Sequence, residues 1–71
     1  MRSERDVEKS YSTEKFVEKL RRLADCLEQG KKFEIRIAGE RIYVPAGARY
    51  TIEHERDGKN EEIEFQITWK N

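Results

Sequence analysis

A chain of 71 residues with 15 basic and 15 acidic side chains has room for one domain with a thin core, and no room for a deep, walled active site. Its net charge of zero argues against a dedicated nucleic-acid binder, which usually carries a basic excess, but leaves a local basic patch open. Although 42% of the residues are charged, the regular spacing of the apolar residues favours a folded domain with a polar surface over a disordered chain.

The chain begins with residues that show no apolar periodicity. We therefore expect residues 1–6 to be disordered and residues 7–71 to form a single domain. The stretch 7–11 alternates between apolar and polar residues, but Lys9 interrupts its apolar side. The pattern leaves open whether these five residues form a short strand.

An amphipathic helix is predicted after Ser12 and Thr13, because a hydroxyl there can accept a hydrogen bond from a free N–H of the first turn. Gly30 is predicted to end the helix, since glycine adopts the left-handed conformation without a Cβ clash. Between these residues, apolar side chains recur at about 3.6 residues per turn. They form one stripe, called here the helix stripe, of Phe16, Val17, Leu20, Leu23, Ala24 and Leu27. Cys26 falls at the edge of this stripe.

After the helix the apolar period changes to 2, which indicates strands. The alternation predicts one strand through Ile35 and Ile37 and a second strand through Ile42 and Val44. Gly39-Glu40 is predicted as the two-residue loop of a hairpin, with the glycine first. That loop places Ile37 opposite Ile42 and Ile35 opposite Val44, so both pairs share one face of the sheet.

A second hairpin is predicted beyond the Pro45-Ala46-Gly47 break, with its turn at residues 57–60. Pairing Arg56 with Glu61 sets its register. That register places His54 opposite Ile63, Ile52 opposite Phe65, Tyr50 opposite Ile67 and Ala48 opposite Trp69. The tryptophan is therefore predicted to lie on the core face, with a small residue against its indole.

The order of one helix and two hairpins predicts an α+β fold. In this fold the amphipathic helix packs on one face of a 4–5 stranded, mainly antiparallel sheet. The helix stripe is expected to cover the apolar face of that sheet. The opposite face, which is rich in charged side chains, is expected to face water.

Two stretches of the chain together resemble a known family. One is the helix with its exit, in which Leu20-Arg-Arg-Leu-Ala-Asp-Cys-Leu-Glu-Gln-Gly30 is the most characteristic part, and the other is the terminal strand Ile63-Glu-Phe-Gln-Ile-Thr-Trp69. With Pro45 between the hairpins, residues 7 to 70 resemble the amphi-Trp domain family, which is named for an amphipathic final strand ending in tryptophan. The resemblance implies a compact α+β domain and no reaction. It also implies that the Cys26 thiol is incidental, because the family commonly has a small residue there.

Few residues offer catalytic or metal chemistry. His54, the only histidine, stands between Glu53 and Glu55, but adjacent strand residues point to opposite faces, so we interpret it as a partly buried histidine at the sheet edge. Cys26 lies near the negative end of the helix and beside Asp25, where the positive surroundings that stabilise a thiolate are missing. One histidine and one cysteine on different elements do not make a zinc site. We therefore predict no catalytic, metal or cofactor site.

The cellular location is predicted from the cysteine and from hydropathy. The single Cys26 cannot form an internal disulfide, and the sequence has neither an apolar leader nor an apolar run that could span a membrane. We therefore expect a cytoplasmic protein without a membrane partner.

A basic cluster and one tyrosine are the best candidates for contact with a partner. The cluster consists of Lys31, Lys32, Arg36 and Arg41, and Tyr43 falls on the outer face of the same hairpin. Tyrosine and arginine are over-represented among interface hot spots. Basic residues with an aromatic neighbour can also hold a phosphate backbone, although the glutamates of the outer face would repel a polyanion.

These residues predict a small, non-enzymatic interaction module of otherwise unknown function. It is expected to use the outer sheet face or an edge strand to bind an unidentified protein or a second copy of itself. The alternative prediction is nucleic-acid binding through the basic hairpin.

Overall fold

The computed structural model describes residues 4–71, in which one helix is followed by two antiparallel hairpins. The elements are α1 (Thr13–Glu28), β1 (Phe33–Ile37), β2 (Glu40–Val44), β3 (Arg49–Asp57) and β4 (Asn60–Thr68). The first hairpin is formed by β1 and β2, and the second hairpin by β3 and β4. The α+β class predicted from the sequence is confirmed.

Both predicted ends of α1 are confirmed. The Ser12 side chain accepts a hydrogen bond from the backbone N–H of Lys15 at 3.3 Å, which satisfies one of the free donors of the first turn. At the other end Gly30 has a φ of 67°, and the N–H of Lys31 donates to the carbonyl of Cys26 at 2.9 Å. The N–H of Gly30 also donates to the carbonyl of Leu27, so the helix ends in a Schellman motif, which needs a left-handed residue at this position.

Residues 4–12, the described part of the segment before α1, contain no strand. Residues 7–11, for which the pattern left a strand open, have no regular secondary structure, as expected from the lysine that interrupts their apolar side. Contacts of Tyr11 and Arg5 attach the segment to the domain, and the Arg5 guanidinium also donates to the carbonyls of Ile37 and Ala38. The Lys19 ammonium lies 4.8 Å from the centre of the Tyr11 ring, and Arg5 forms a 2.6 Å ion pair with Glu40. Of the residues predicted to be disordered, 1–3 lie outside the described part of the chain.

The register of the first hairpin differs from the predicted one. Ile35 lies opposite Ile42, and the loop is Ala38-Gly39, in which both residues have positive φ, at 46° and 85°. Two positive φ values give a turn whose twist matches that of the strands. The observed register also sets Phe33 opposite Val44, whereas the predicted register would have set Phe33 beyond the proline. The prediction of a Gly39-Glu40 loop was therefore wrong, but the residues assigned to each face were right.

The register of the second hairpin is confirmed. Tyr50 lies opposite Ile67, Ile52 opposite Phe65, and His54 opposite Ile63. The strands end at the pair Arg49 and Thr68, so the predicted pair of Ala48 and Trp69 lies one position beyond the ladder.

The hairpins form two separate two-stranded sheets in the described part of the chain, and not one sheet of 4–5 strands. The chain between them turns at Pro45, where the N–H of Ala48 donates to the proline carbonyl at 3.3 Å. β3 follows this turn and does not pair with β2. Proline has no N–H of its own to extend a ladder.

The helix contacts the first hairpin through one side only. Within α1, Lys19, Leu23 and Cys26 are half-buried, and their spacing of four and three residues draws one line along the helix. Next to this line, Arg22 donates from Nη1 to the carbonyl of Glu34 at 2.8 Å, and its guanidinium lies 5.0 Å from the centre of the Phe33 ring. Cys26 therefore lies on the packing side of the helix.

Most of the helix stripe is exposed as a result. The stripe residues Phe16, Val17, Leu20 and Leu27 have exposed fractions of 53%, 38%, 39% and 41%. The buried apolar residues of the described chain are Phe33 and Val44, at 4% and 5% exposure. The core is therefore centred on the first hairpin, and the prediction that the stripe covers one large sheet is not met within the chain.

Replacing Phe33 by alanine is expected to remove much of the stability of the chain. Loss of a buried phenylalanine costs about 3 kcal/mol or more, against a total of about 4–11 kcal/mol for a chain of this length. The urea midpoint, followed by circular dichroism, should fall sharply for Phe33→Ala. The control Tyr43→Ala, at an exposed position, should change the free energy of unfolding by no more than about 0.5 kcal/mol. Equal midpoints for the two variants would place the core elsewhere.

Candidate functional site

The outer face of the first hairpin holds three of the five predicted partner-binding residues. Arg36 lies directly opposite Arg41, and Tyr43 is exposed on the same face. The Nε of Arg41 lies 2.9 Å from Oε1 of Glu34. A hydrogen bond with the Tyr43 side chain and the charge of Glu34 raise the pKa of Arg41 above its ordinary value. This arginine is therefore held in place and partly neutralised by its own hairpin.

The other predicted residues of the basic cluster lie at the far end of β1. Lys31 and Lys32 are exposed in the connection between α1 and β1, whereas Arg36 is near the loop of the hairpin, where its Nη1 donates to the carbonyl of Gly39 at 3.3 Å. Lys32 lies four positions before Arg36, which is about 13 Å along an extended chain. The structure therefore divides the basic cluster into a lysine pair and an arginine pair.

A second surface lies on the second hairpin, where five apolar side chains point to the same side of the two strands. We call this surface the apolar hairpin face, and it consists of Tyr50, Ile52, Ile63, Phe65 and Ile67. The middle of the face is the most exposed part, with Ile52 at 70%, Ile63 at 65% and Phe65 at 68% exposure. Ile67 and the neighbouring Trp69 are half-buried. The sequence predicted this face correctly as apolar and wrongly as covered.

Polar side chains close the apolar hairpin face at the end nearest the turn. The Oε2 atom of Glu61 lies 2.8 Å from Nε2 of His54 and accepts a hydrogen bond from Arg56 at 3.0 Å. All three side chains are at least half exposed. Sequence reasoning weighed Glu53 and Glu55 as the neighbours of the histidine and missed Glu61, although the predicted pairing of Arg56 with Glu61 already put that carboxylate diagonal to the ring.

The other face of the second hairpin is acidic. Glu53 lies directly opposite Glu64, and Glu55 directly opposite Glu62. A hydrogen bond with Glu64, the charge of that residue, and the charges of Glu55 and Glu8 raise the pKa of Glu62 above its ordinary value. Like charges that lie opposite each other on paired strands destabilise the pairing. Repulsion between the carboxylates of this face therefore weakens the pairing of β3 with β4.

Other kinds of site were sought among residues 4–71. These residues contain no group of three or more histidine, cysteine, aspartate or glutamate side chains that could hold a metal ion. No helix among them is long and apolar enough to cross a membrane. Comparisons with protein-family models, with curated proteins and with solved structures find no match. The resemblance to the amphi-Trp domain family therefore stays a prediction.

Replacing Glu62 by glutamine is expected to stabilise the chain near neutral pH. Because the pKa of Glu62 is raised in the folded state, the folded chain binds more protons at this group than the unfolded chain does. The stability that this protonation provides is therefore lost as the pH rises through the folded pKa. Glu62→Gln should therefore raise the urea midpoint at pH 7, with little effect at pH 3, where the carboxyl groups are protonated.

The matched control for this experiment is Glu61→Gln, one position earlier on the same strand. It removes the negative charge that the ion pair with Arg56 needs, so the midpoint at pH 7 should not rise. A midpoint for Glu62→Gln that falls or stays unchanged at pH 7 would mean that the acidic face is not a source of repulsion.

Proposed function

We propose that the chain is a small, non-enzymatic protein-interaction module whose binding surface is the apolar hairpin face. One observation carries this proposal, the exposure of Ile52, Ile63 and Phe65 side by side on one face of a hairpin. Single exposed apolar residues are common on protein surfaces, but contiguous apolar patches with a polar rim are typical of interaction sites. The rim here is provided by His54, Arg56 and Glu61.

The stability of a hairpin supports the same proposal. A two-stranded hairpin is marginal in water unless a third strand or a helix packs on its apolar face. The described chain leaves this face of the second hairpin open, so a partner that covers it would supply the missing packing. The sequence led us to expect a helix on the apolar face of the sheet. In our proposal, a bound partner covers that face instead.

The absence of an enzyme activity is part of the proposal and is supported by the positions of the reactive side chains. His54 is engaged by Glu61 on the second hairpin, while Cys26 is a half-buried free thiol on the packing side of α1. Catalysis by a nucleophile and a base would need the two groups within hydrogen-bond reach. The free thiol also supports our proposal that the module works in the reducing cytoplasm.

A photo-reactive residue at position 65 tests the proposed surface. With p-benzoylphenylalanine in place of Phe65, illumination of intact cells is expected to give protein adducts that survive nuclease treatment. The same residue in place of Thr51, which lies on the acidic face of the same hairpin, is the control and should give at least five-fold fewer adducts. Equal yields at the two positions, or no protein adducts at position 65, would contradict the proposal.

Nucleic-acid binding through the basic hairpin remains the second candidate, supported by the adjacent Arg36 and Arg41 with Tyr43 beside them. It predicts that the double variant Arg36→Glu with Arg41→Glu abolishes binding to single-stranded RNA, and that the affinity of the natural chain falls steeply with salt. The control Lys70→Glu should retain binding. Filter binding at two salt concentrations would measure both effects, and no retention of RNA at low salt would remove this candidate.

A further inference from the structure

We propose that the partner of the apolar hairpin face is a second copy of this chain, so that the hairpin face of each chain covers the helix stripe of the other. The inference rests on the proposed function and names the partner. The two surfaces are both apolar, both exposed and present on the same chain. In a dimer with two-fold symmetry, the contact of the first chain's helix stripe with the second chain's hairpin face is repeated with the two chains exchanged. Both helix stripes and both hairpin faces are then covered.

The exposed area of the chain supports a partner of this size. The chain exposes 6860 Å², whereas a compact monomer of 8.5 kDa would expose about 4,700 Å². The excess is about 2,200 Å² for each chain, well above the roughly 800 Å² that each partner contributes to a standard stable interface. Its radius of gyration of 13.8 Å likewise exceeds the value of about 11 Å expected for this length.

The dimensions of the two surfaces match. The apolar hairpin face extends along β4 from Ile63 to Ile67, four strand steps or about 14 Å, while the helix stripe from Phe16 to Leu27 extends about 17 Å. A helix lying along the hairpin would thus have most of its stripe covered. The helix contacts its own first hairpin through the line of Lys19, Leu23 and Cys26, which uses one stripe residue, Leu23. The stripe residues that stay exposed for the second chain include Phe16, Val17, Leu20 and Leu27.

Electrostatics also permits a second copy as the partner. The net charge of zero means that two copies do not repel each other as a whole. The acidic residues of the second hairpin lie on its other face, so the surface that meets the helix stripe holds no unpaired carboxylate in its centre. The one carboxylate at its rim, Glu61, is held by His54 and Arg56.

Sedimentation equilibrium of the purified full chain tests the association. We expect a mass of about twice 8.5 kDa, and a monomeric mass for Phe65→Glu and for Leu20→Glu at the same concentrations. Both residues are exposed in the single chain, so each variant should retain the circular dichroism of a folded α+β domain. Thr51→Glu, on the acidic face, is the control and should keep the doubled mass. A monomeric natural chain at all concentrations would overturn the inference.

Disulfide trapping tests which surfaces meet. In a Cys26→Ala background, one protein carries Leu20→Cys and a second carries Phe65→Cys, and the two are mixed under mild oxidation. We expect the mixed disulfide to exceed either self-disulfide at least five-fold. Predominant self-disulfides of the Phe65→Cys protein would mean that hairpin meets hairpin, which overturns the proposed contact.

The two proposals fail in different ways. A natural chain that is monomeric, but gives adducts with another protein at position 65, removes the second copy as partner and leaves the interaction module in place. A chain that gives no protein adduct at position 65 in cells, its own copy included, removes both proposals. A monomer whose double variant, Leu20→Cys with Phe65→Cys, closes an internal disulfide would mean that the hairpin covers its own helix, which also overturns the inference.

Discussion

The contact between Phe33 and Val44 holds together the part of the chain that is packed. These two residues lie opposite each other in the first hairpin, and they are the apolar side chains that residues 4–71 bury. Arg22 lies over the Phe33 ring and donates a hydrogen bond to the carbonyl of Glu34, the next residue of the same strand. The helix is therefore attached to the hairpin at the same point. The position of α1, the register of the first hairpin and the rotation of the helix about its axis all depend on this small cluster.

The second hairpin depends on different forces, because it lies outside that cluster. Its strands are joined by a nine-residue ladder, by the ion pair of Glu61 with Arg56, by the 2.8 Å contact of Glu61 with His54, and by the side-chain hydrogen bond between Thr51 and Gln66 at 3.0 Å. Backbone pairing and exposed ion pairs contribute little net stability in water. A single chain therefore contains one region stabilised by burial and one region whose apolar face stays exposed.

The sequence predicts local structure well and tertiary contacts less well, for physical reasons. Ser12 and Gly30 marked the helix ends because capping is local, and alternation assigned Ile52 and Phe65 to one face because the side-chain period of a strand is two. The Ala38-Gly39 loop was missed because alanine rarely takes a positive φ. Periodicity identifies which residues are apolar together but not what covers them, so Leu20 was expected to be covered and is exposed.

The acidic side of the second hairpin has a consequence for how far association can proceed. Hairpins with two apolar faces can stack on one another without limit, and such stacking is the basis of fibril growth. Here Glu53, Glu55, Glu62 and Glu64 occupy the side opposite to Ile52 and Phe65. A hairpin that is covered on its apolar side then presents a polar, mainly acidic face to the next molecule, which opposes the addition of a further layer. The repulsion that weakens the ladder is thereby of the kind that gatekeeper charges provide, because it opposes stacking of an exposed apolar strand pair.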